Sequence, residues 1–404
     1  MLVALMVRLA LAVGVQYQVS KTPGRLCLIS GDAEGYWELA GKLAAGETYS
    51  IHTPPRFLLR MPGFPMLLAL PRLIFGDKPF AARIVLALIG TLACGLTYWL
   101  GRELAGETVG IIAGVYTAIS PTMALFSVLF LSETAFAATM LASLIAAAKL
   151  ARGLSSTTSV TASRWIRLSL LTGALVGLAT LVRPTWILVG PGLAALFLIL
   201  CPRPIGLRGL LGGLICLGLG LSLAPWTYRN FCVTGHLIAT TLWSGPSLYD
   251  GLNPTATGDS DMTFFDQEQL MLTMSEYDMN REYRRRAMEF AIANPGRVIS
   301  LAIEKQRRYW NPAPSSPQFS NPTLSVVGWL TYLPLILLAV VGAWFARGDV
   351  WLLILTLAPV LYFAALHLLF VGSLRYRLPA EYPLAVLSAV GLCQLRPFHD
   401  RTTT

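Results

Sequence analysis

The sequence predicts an all-α protein that crosses a membrane several times. Hydrophobic residues make up 55% of the 404 residues and charged residues only 13%, whereas an average soluble domain has about a quarter of its residues charged. Apolar runs of about 18 to 22 residues recur along the chain, which is the length that an α-helix needs to cross the hydrocarbon core. The polar residues gather in a few connecting segments, so we expect a functional site there.

The lengths of these runs predict about ten spans in a single transmembrane domain, residues 1–404. Their approximate bounds are 2–19, 79–100, 109–129, 134–150, 166–182, 186–200, 210–226, 324–345, 351–370 and 382–395. The first run contains Arg8 and has no clear cleavage site after it. We therefore interpret it as a retained span in which Arg8 snorkels to the membrane surface.

Basic residues in the short connections predict the orientation of these spans. Arg102, Lys149, Arg152, Arg203 and Arg347 fall on one side of the membrane if the spans alternate. The positive-inside rule makes that side cytoplasmic. The net charge of +10 is therefore explained by topology and by anionic lipid or phosphate groups, and it does not indicate a nucleic-acid partner.

Two long polar segments, 20–78 and 227–321, are then extracytoplasmic. In the first, Tyr36, Leu39 and Ala40 lie on one side at helical spacing, which predicts an amphipathic helix over 32–46 at the membrane surface. A short apolar helix over 62–75 follows, too short to cross the membrane. In the second segment we predict a charged helix over 281–293, a break at Asn294-Pro295 and a second helix that ends near residue 310, packed on the ends of the spans.

Two carboxylates in this external region are candidate catalytic residues. One interpretation of Asp32 is a helix cap. The other is a general base, because Asp32 shares a helix face with Tyr36, four residues on. Glu133 opens the fourth span at the same predicted depth, and it is either a favourable acid at a helix N-terminus or a second carboxylate of the site. Glu34 and Glu38 lie off the apolar stripe and are expected to be solvated.

Arginines form the second signal, because several fall at external span ends, where the positive-inside rule predicts no excess of positive charge. They are Arg60, Arg183, Arg229, Arg375 and Arg377. One by one, each could anchor its helix at the interface. Together they outnumber the nearby acids and indicate a ring that binds a phosphate or pyrophosphate group.

The residues offer less support for nucleotide binding, for hydrolase chemistry or for a metal site. No nucleotide-binding or hydrolase motif occurs in a strand-to-helix context, and the four histidines and six cysteines show no metal-ligand spacing. No cofactor is predicted, and a divalent metal ion stays an open alternative. Cys27 and Cys232 share the external side, so a disulfide between them is also open.

Several short motifs in this order resemble a known family. They are Asp32-Ala33-Glu34-Gly35-Tyr36, Arg60-Met61-Pro62-Gly63-Phe64-Pro65, Ser132-Glu133-Thr134, Val182-Arg183-Pro184, Pro225-Trp226-Thr227-Tyr228-Arg229-Asn230, the 245–254 segment, and Arg375-Tyr376-Arg377-Leu378-Pro379. The chain resembles the polytopic GT-C glycosyltransferases, in particular the dolichyl-phosphate-mannose protein mannosyltransferases and the bacterial lipid A aminoarabinose transferase. It departs from the mannosyltransferases in having Asp-Ala-Glu in place of adjacent acids and in having no large appended external domain, so a lipid, a glycan and a protein all stay open as the acceptor.

The resemblance implies a GT-C fold and transfer of a sugar from a polyprenyl phosphate to an extracytoplasmic acceptor, at a site on the outer face of the cell (inner) membrane. It assigns the role of catalytic acidic residue to Asp32, while Glu133 remains a candidate second catalytic carboxylate from its position in the sequence alone. The five arginines, with Tyr36 and Tyr376, would contact the donor, and inversion at the anomeric carbon is expected because one base suffices for a single displacement.

Two other functions stay open at this point. A transporter or flippase of a lipid-linked or anionic substrate would place ionisable residues at mid-membrane and show an inverted repeat, and the sequence shows few such residues and no repeat. A polymerase or ligase that moves a whole glycan from an undecaprenyl carrier would use the same chemistry. The residues alone do not separate it from a single-sugar transferase.

Overall fold

The computed structural model describes residues 1–29, 31–155, 162–313 and 322–395. These residues contain eighteen α-helices and no β-strand, which confirms the all-α prediction. The helices are α1 (Leu2–Ser20), α2 (Asp32–Ala44), α3 (Gly63–Phe75), α4 (Pro79–Ala105), α5 (Glu107–Ile119), α6 (Pro121–Phe126), α7 (Glu133–Ser155), α8 (Ala162–Val182), α9 (Val189–Leu200), α10 (Ile205–Thr234), α11 (Ser244–Gly251), α12 (Thr263–Glu268), α13 (Leu270–Thr273), α14 (Glu276–Ala293), α15 (Pro295–Trp310), α16 (Pro322–Phe345), α17 (Val350–Leu366) and α18 (Leu374–Gln394), with a 3-10 turn at Pro184–Trp186.

The chain is a multi-pass membrane protein. Six of its described helices, α1, α4, α7, α8, α10 and α16, are both long and apolar enough to cross a membrane. The other four predicted spans correspond to shorter or more polar helices. The predicted span 109–129 is divided into α5 and α6, because Pro121 cannot continue the hydrogen-bond ladder of α5.

Helix α18 lies at the centre of the bundle, where it contacts α4, α5, α7, α16 and α17. It begins at Leu374, well before the start predicted at 382, so the predicted bound of the last span was wrong. Arg375, Tyr376 and Arg377 instead form its first turn. Arg377 donates to a carboxylate oxygen of Glu381, one turn further along the helix, at 2.7 Å, and both side chains are buried.

Arg8 does not snorkel, which corrects the sequence-based expectation. Its side chain is fully buried and donates at 3.1 Å to the carbonyls of Thr117 and Ala118. These carbonyls belong to the last turn of α5, where no further helical amide is available to pair with them. Arg8 therefore caps the broken span from inside the bundle, and a cation suits that helix end.

The second external segment begins later than predicted, because α10 continues past the expected boundary at 227 to Thr234. Helices α14 and α15 then bracket the predicted break at Asn294-Pro295. Buried contacts connect this segment to the rest of the chain. The Glu276 carboxylate accepts the amides of Phe57 and Leu58 at 2.9 and 2.8 Å, and Lys305 donates to the Leu369 carbonyl at 2.6 Å.

Helices α8 and α10 approach each other through glycines, so we expect Gly218→Ala to destabilise the protein. A methyl group at Gly218 would overlap the backbone carbonyl of Leu170. The two helices would have to separate, at a cost of about 1–3 kcal/mol. Gly213→Ala in the same helix is the matched control, since a methyl group there meets no atom within 4 Å. Thermal unfolding in detergent should show a lower Tm for Gly218→Ala alone; equal Tm values would contradict the close packing.

Candidate functional site

A cavity of about 540 Å³ opens where the two long polar segments meet the ends of the bundle. Six parts of the chain line it: the start of α2, residues 59–61, Phe136 of α7, the connection from α8 to α9, residues 240–262 and the stretch from α17 to α18. Six of the nine predicted site residues line it, although they are distant in sequence: the charged Asp32, Arg60, Arg183 and Arg375 and the aromatic Tyr36 and Tyr376. The structure therefore brings these six together.

Asp32 is the first residue of α2, and its carboxylate does not cap the helix. The capping role belongs to Glu34, whose carboxylate accepts the amide of Gly31 at 3.3 Å while remaining exposed. The two oxygens of Asp32 instead pair with two arginines, Arg60 at 2.5 Å and Arg375 at 2.9 Å. Asp32 is thus held in an ionic network at the cavity wall.

This network controls the protonation of Asp32. Burial by itself raises the pKa of the carboxyl, but the charges of Arg60 and Arg375 outweigh burial and hold the pKa well below its usual range. The carboxylate is therefore ionised throughout the physiological pH range. While both arginines remain paired with it, it is a weak proton acceptor.

Glu133 lies behind the arginines and is fully buried. One of its oxygens accepts from Nε of Arg375 and lies 3.5 Å from Arg183, while Oε2 has no hydrogen-bond partner among the described residues. Glu133 is not among the residues that line the cavity. Its position is that of a group that orients Arg375 and Arg183.

Aromatic rings complete the basic wall. The guanidinium group of Arg60 lies 5.5 Å from the ring centroid of Tyr36, and that of Arg183 lies 5.5 Å from the ring of Tyr376. Such cation–π contacts restrict where the guanidinium groups point. Arg183 is itself in an extended conformation before Pro184, as expected for a residue that precedes proline.

Two members of the predicted arginine ring lie elsewhere. Arg229 donates to the carbonyls of Phe57 and Tyr49 at 3.0 and 2.9 Å, so it holds the first external segment in place. Arg377 is directed into the bundle, because residues two apart in a helix do not share a face with Arg375. Within the cavity Asp32 pairs with Arg60 and Arg375, and Glu133 pairs with Arg183 and Arg375, so three arginines meet two acids and still outnumber them.

Sequence reasoning missed His367, which follows α17 and lines the cavity. Its ring stacks on Tyr376 with centroids 4.5 Å apart, and its Nδ1 lies 2.6 Å from the carbonyl of Val371. A carbonyl can only accept, so Nδ1 carries the proton. A single histidine in an apolar run has no spacing signal that would have identified it.

The titration of His367 gives a testable pH dependence. Burial lowers its pKa to about 4, whereas the unfolded chain titrates near 6.5. The contribution of a neutral His367 to stability is therefore complete above pH 6.5 and is lost as the pH falls towards 4, by up to about 3 kcal/mol. We expect His367→Asn to flatten the fall of Tm between pH 6.5 and 4, with the exposed His236→Asn as control. A loss as steep in His367→Asn as in the wild type would exclude His367 as its source.

The remaining candidates are outside the cavity. All six cysteines are free, with Cys27 buried and Cys232 exposed, so the disulfide considered from the sequence is not formed. His52 is exposed and does not line the cavity. Among the residues that the structure describes, no group of three or more His, Cys, Asp or Glu side chains is placed to hold a metal ion.

The fold and this cavity define the class: a polytopic membrane protein with a GT-C glycosyltransferase fold and a site at one end of its helix bundle. Residues 55–227 match the family of dolichyl-phosphate-mannose-protein mannosyltransferases. This match begins within the polar segment that precedes α3 and ends inside α10, at the residue after Trp226. The resemblance to GT-C glycosyltransferases is thereby confirmed.

Solved structures support the same fold. The oligosaccharyltransferase AglB of Archaeoglobus fulgidus, in complex with an inhibitory peptide and a dolichol-phosphate, is 14% identical with a TM-score of 0.60, over 97% of this chain and 49% of the other. Its apo form is 16% identical with a TM-score of 0.58, over 97% and 50%. The chain thus spans about half the length of AglB, and at this identity the similarity concerns the fold alone.

A weaker similarity, too low to establish a shared fold, connects the chain to ArnT of Cupriavidus metallidurans bound to undecaprenyl phosphate. That protein is 14% identical with a TM-score of 0.44, over 96% of this chain and 76% of the other. No curated protein sequence matches this chain significantly.

Proposed function

We propose that the protein is a glycosyltransferase that moves a sugar from a polyprenyl-phosphate donor to an extracytoplasmic acceptor. The observation that carries the proposal is the cavity wall in which Arg60, Arg183 and Arg375 surround Asp32. The family match and the dolichol-phosphate bound to AglB support a lipid phosphate as the donor group. The site would face the outer side of the cell (inner) membrane, as the distribution of basic residues predicts.

The charges of the wall favour a phosphate. Three guanidinium groups face two carboxylates, Asp32 and Glu133, which leaves one positive charge unmatched. Guanidinium groups bind phosphate oxygens with strong, directional hydrogen bonds. A donor phosphate would bring further negative charge to Arg60 and Arg375 and so compete with Asp32 for them.

This competition connects donor binding to catalysis. When phosphate oxygens pair with Arg60 and Arg375, Asp32 loses the charges that hold its pKa low, and its affinity for a proton rises. The carboxylate then accepts the proton of an acceptor hydroxyl as that oxygen attacks the anomeric carbon. The bond between the anomeric carbon and the phosphate oxygen breaks, and the arginines stabilise the charge that develops on the leaving phosphate. The single displacement inverts the configuration.

The other predicted residues have supporting roles in this scheme. Glu133, buried behind Arg375 and Arg183, orients their guanidinium groups and does not touch the reacting atoms. Tyr36 and Tyr376 restrict the arginines through their rings and contribute to the wall.

The test is to incubate the purified protein with a panel of polyprenyl-phosphate sugars and to measure the release of polyprenyl phosphate. We expect release with at least one hexose or pentose donor when an acceptor extract is present. Binding of donors without release would favour the transporter or flippase, which would then be examined by lipid translocation in vesicles. Absence of both binding and release would refute the lipid-phosphate site.

A further inference from the structure

A second polar wall of the cavity is formed by α11, in the 245–254 region that the arginine chemistry does not use. Three of its side chains line the cavity at intervals of three residues: Ser244, Ser247 and Asp250. Residues three apart in a helix lie on the same side. Trp243, directly before the helix, lines the cavity as well.

Trp243 connects this wall to the arginines. The guanidinium group of Arg60 lies 5.9 Å from the ring centroid of Trp243. In a polyprenyl-phosphate sugar, the sugar is joined directly to the phosphate. A phosphate held by Arg60 therefore places the sugar beside Trp243 and the polar side of α11.

Asp250 is the charged group of this wall, and neighbouring residues fix its direction. It is only 4% exposed, and its oxygens accept from Ser260 Oγ at 2.7 Å and from the amide of Asp261 at 2.9 Å. A carboxylate has about four acceptor positions, so these two bonds leave others open to the cavity. Asp250 has no salt-bridge partner within 4.0 Å among the described residues, and hydroxyl groups of a ligand would suit it.

The wall is rigid because α11 is packed closely at both ends. The amide of Gly245 donates to Asn280 Oδ1 at 2.7 Å, and a methyl group at Gly245 would overlap the carbonyl of Asn280 in α14. At the other end, a methyl group at Gly251 would overlap the carbonyl of Leu369. Side chains on such a fixed helix are pre-organised for a ligand.

We propose that α11 recognises the sugar of the donor, with Trp243 against the ring and with Ser247 and Asp250 hydrogen-bonded to its hydroxyl groups. This inference rests on the proposed function and adds to it the residues that determine which sugar is used. An aromatic ring combined with hydroxyl and carboxylate acceptors suits a neutral hexose or pentose, since both its apolar face and its hydroxyl groups are then satisfied.

The test compares the affinity of the purified protein for undecaprenyl phosphate with its affinity for the sugar-loaded donor that gives the most release. We expect Asp250→Asn to weaken binding of the loaded donor about tenfold or more, because hydrogen bonds to a charged group are lost, and to leave binding of undecaprenyl phosphate unchanged. Ser247→Ala, which disturbs no other described hydrogen bond of the wall, should weaken the loaded donor about threefold. Asp261→Asn is the matched control, since that carboxylate is exposed and accepts from Thr263.

The outcomes separate this inference from the proposed function. Equal weakening of both lipids in Asp250→Asn and Ser247→Ala would assign the wall a purely structural role and overturn the inference. Unchanged binding of both lipids in both variants would overturn it as well, while the proposed function would stand. If the wild type bound neither lipid, the proposed function would fail and this inference with it.

Discussion

Asp32→Asn is expected to abolish sugar transfer and, at the same time, to tighten binding of polyprenyl phosphate by about tenfold, the amount expected for a charged hydrogen bond. Transfer is lost because an amide cannot accept the proton of the acceptor hydroxyl. Binding is tightened because Arg60 and Arg375, now paired with Asp32 at 2.5 and 2.9 Å, no longer have that carboxylate as a competing partner. Turnover with the best donor and the Kd for undecaprenyl phosphate measure the two effects.

Glu34→Gln is the matched control for this variant. It removes one negative charge from the same first turn of α2, but Glu34 is exposed, and its hydrogen bond within the described part of the chain is to the amide of Gly31. We expect it to leave both turnover and lipid affinity nearly unchanged. Retained turnover in Asp32→Asn would exclude the base, and weaker lipid binding would show that Asp32 supports the arginines and does not compete with the phosphate.

The second large effect is expected for Arg375→Ala, which should raise the KM for the donor about a hundredfold and change the KM for the acceptor by less than about threefold. Arg375 joins both carboxylates, Asp32 and Glu133, and in the proposed function it binds the leaving phosphate. Loss of two charge-assisted hydrogen bonds to a phosphate corresponds to roughly this factor. Equal changes in both KM values would contradict a role in phosphate binding.

Stability needs a separate control, because removing Arg375 leaves the buried Glu133 without its main partner. An unpaired buried charge costs about 3–5 kcal/mol, so the single variant could fail for that reason alone. In Arg375→Ala combined with Glu133→Gln, the buried charge is gone, and we expect Tm to recover while donor KM stays high. Arg102→Ala is the matched surface change, since Arg102 and its partner Glu107 are both more than half exposed.

Much of the architecture could be predicted from the sequence. Apolar runs located the long helices α1, α4, α7, α8, α10 and α16, because a helix in hydrocarbon must satisfy its own backbone and needs a fixed length. The spacing of apolar residues located α2, where the structure buries Tyr36, Leu39 and Ala40. The ends of the helices were predicted less accurately. The start of α18 and the end of α10 depend on contacts with other parts of the fold, which the local sequence pattern does not contain.

The candidate site shows the same division. The sequence by itself determined the fold class. It also identified Asp32, Arg60, Arg183 and Arg375 as candidate site residues, because an apolar chain must place such polar residues at one surface. Only the tertiary structure decided which of the five arginines reach the cavity, since Arg377 turns into the bundle while Arg375, two residues earlier, does not. It also decided that Glu133 pairs with arginines and that His367 enters the wall. The physical reason is that hydropathy and helical periodicity are local properties of the chain, whereas ion pairs and cavity walls depend on contacts between helices far apart in sequence.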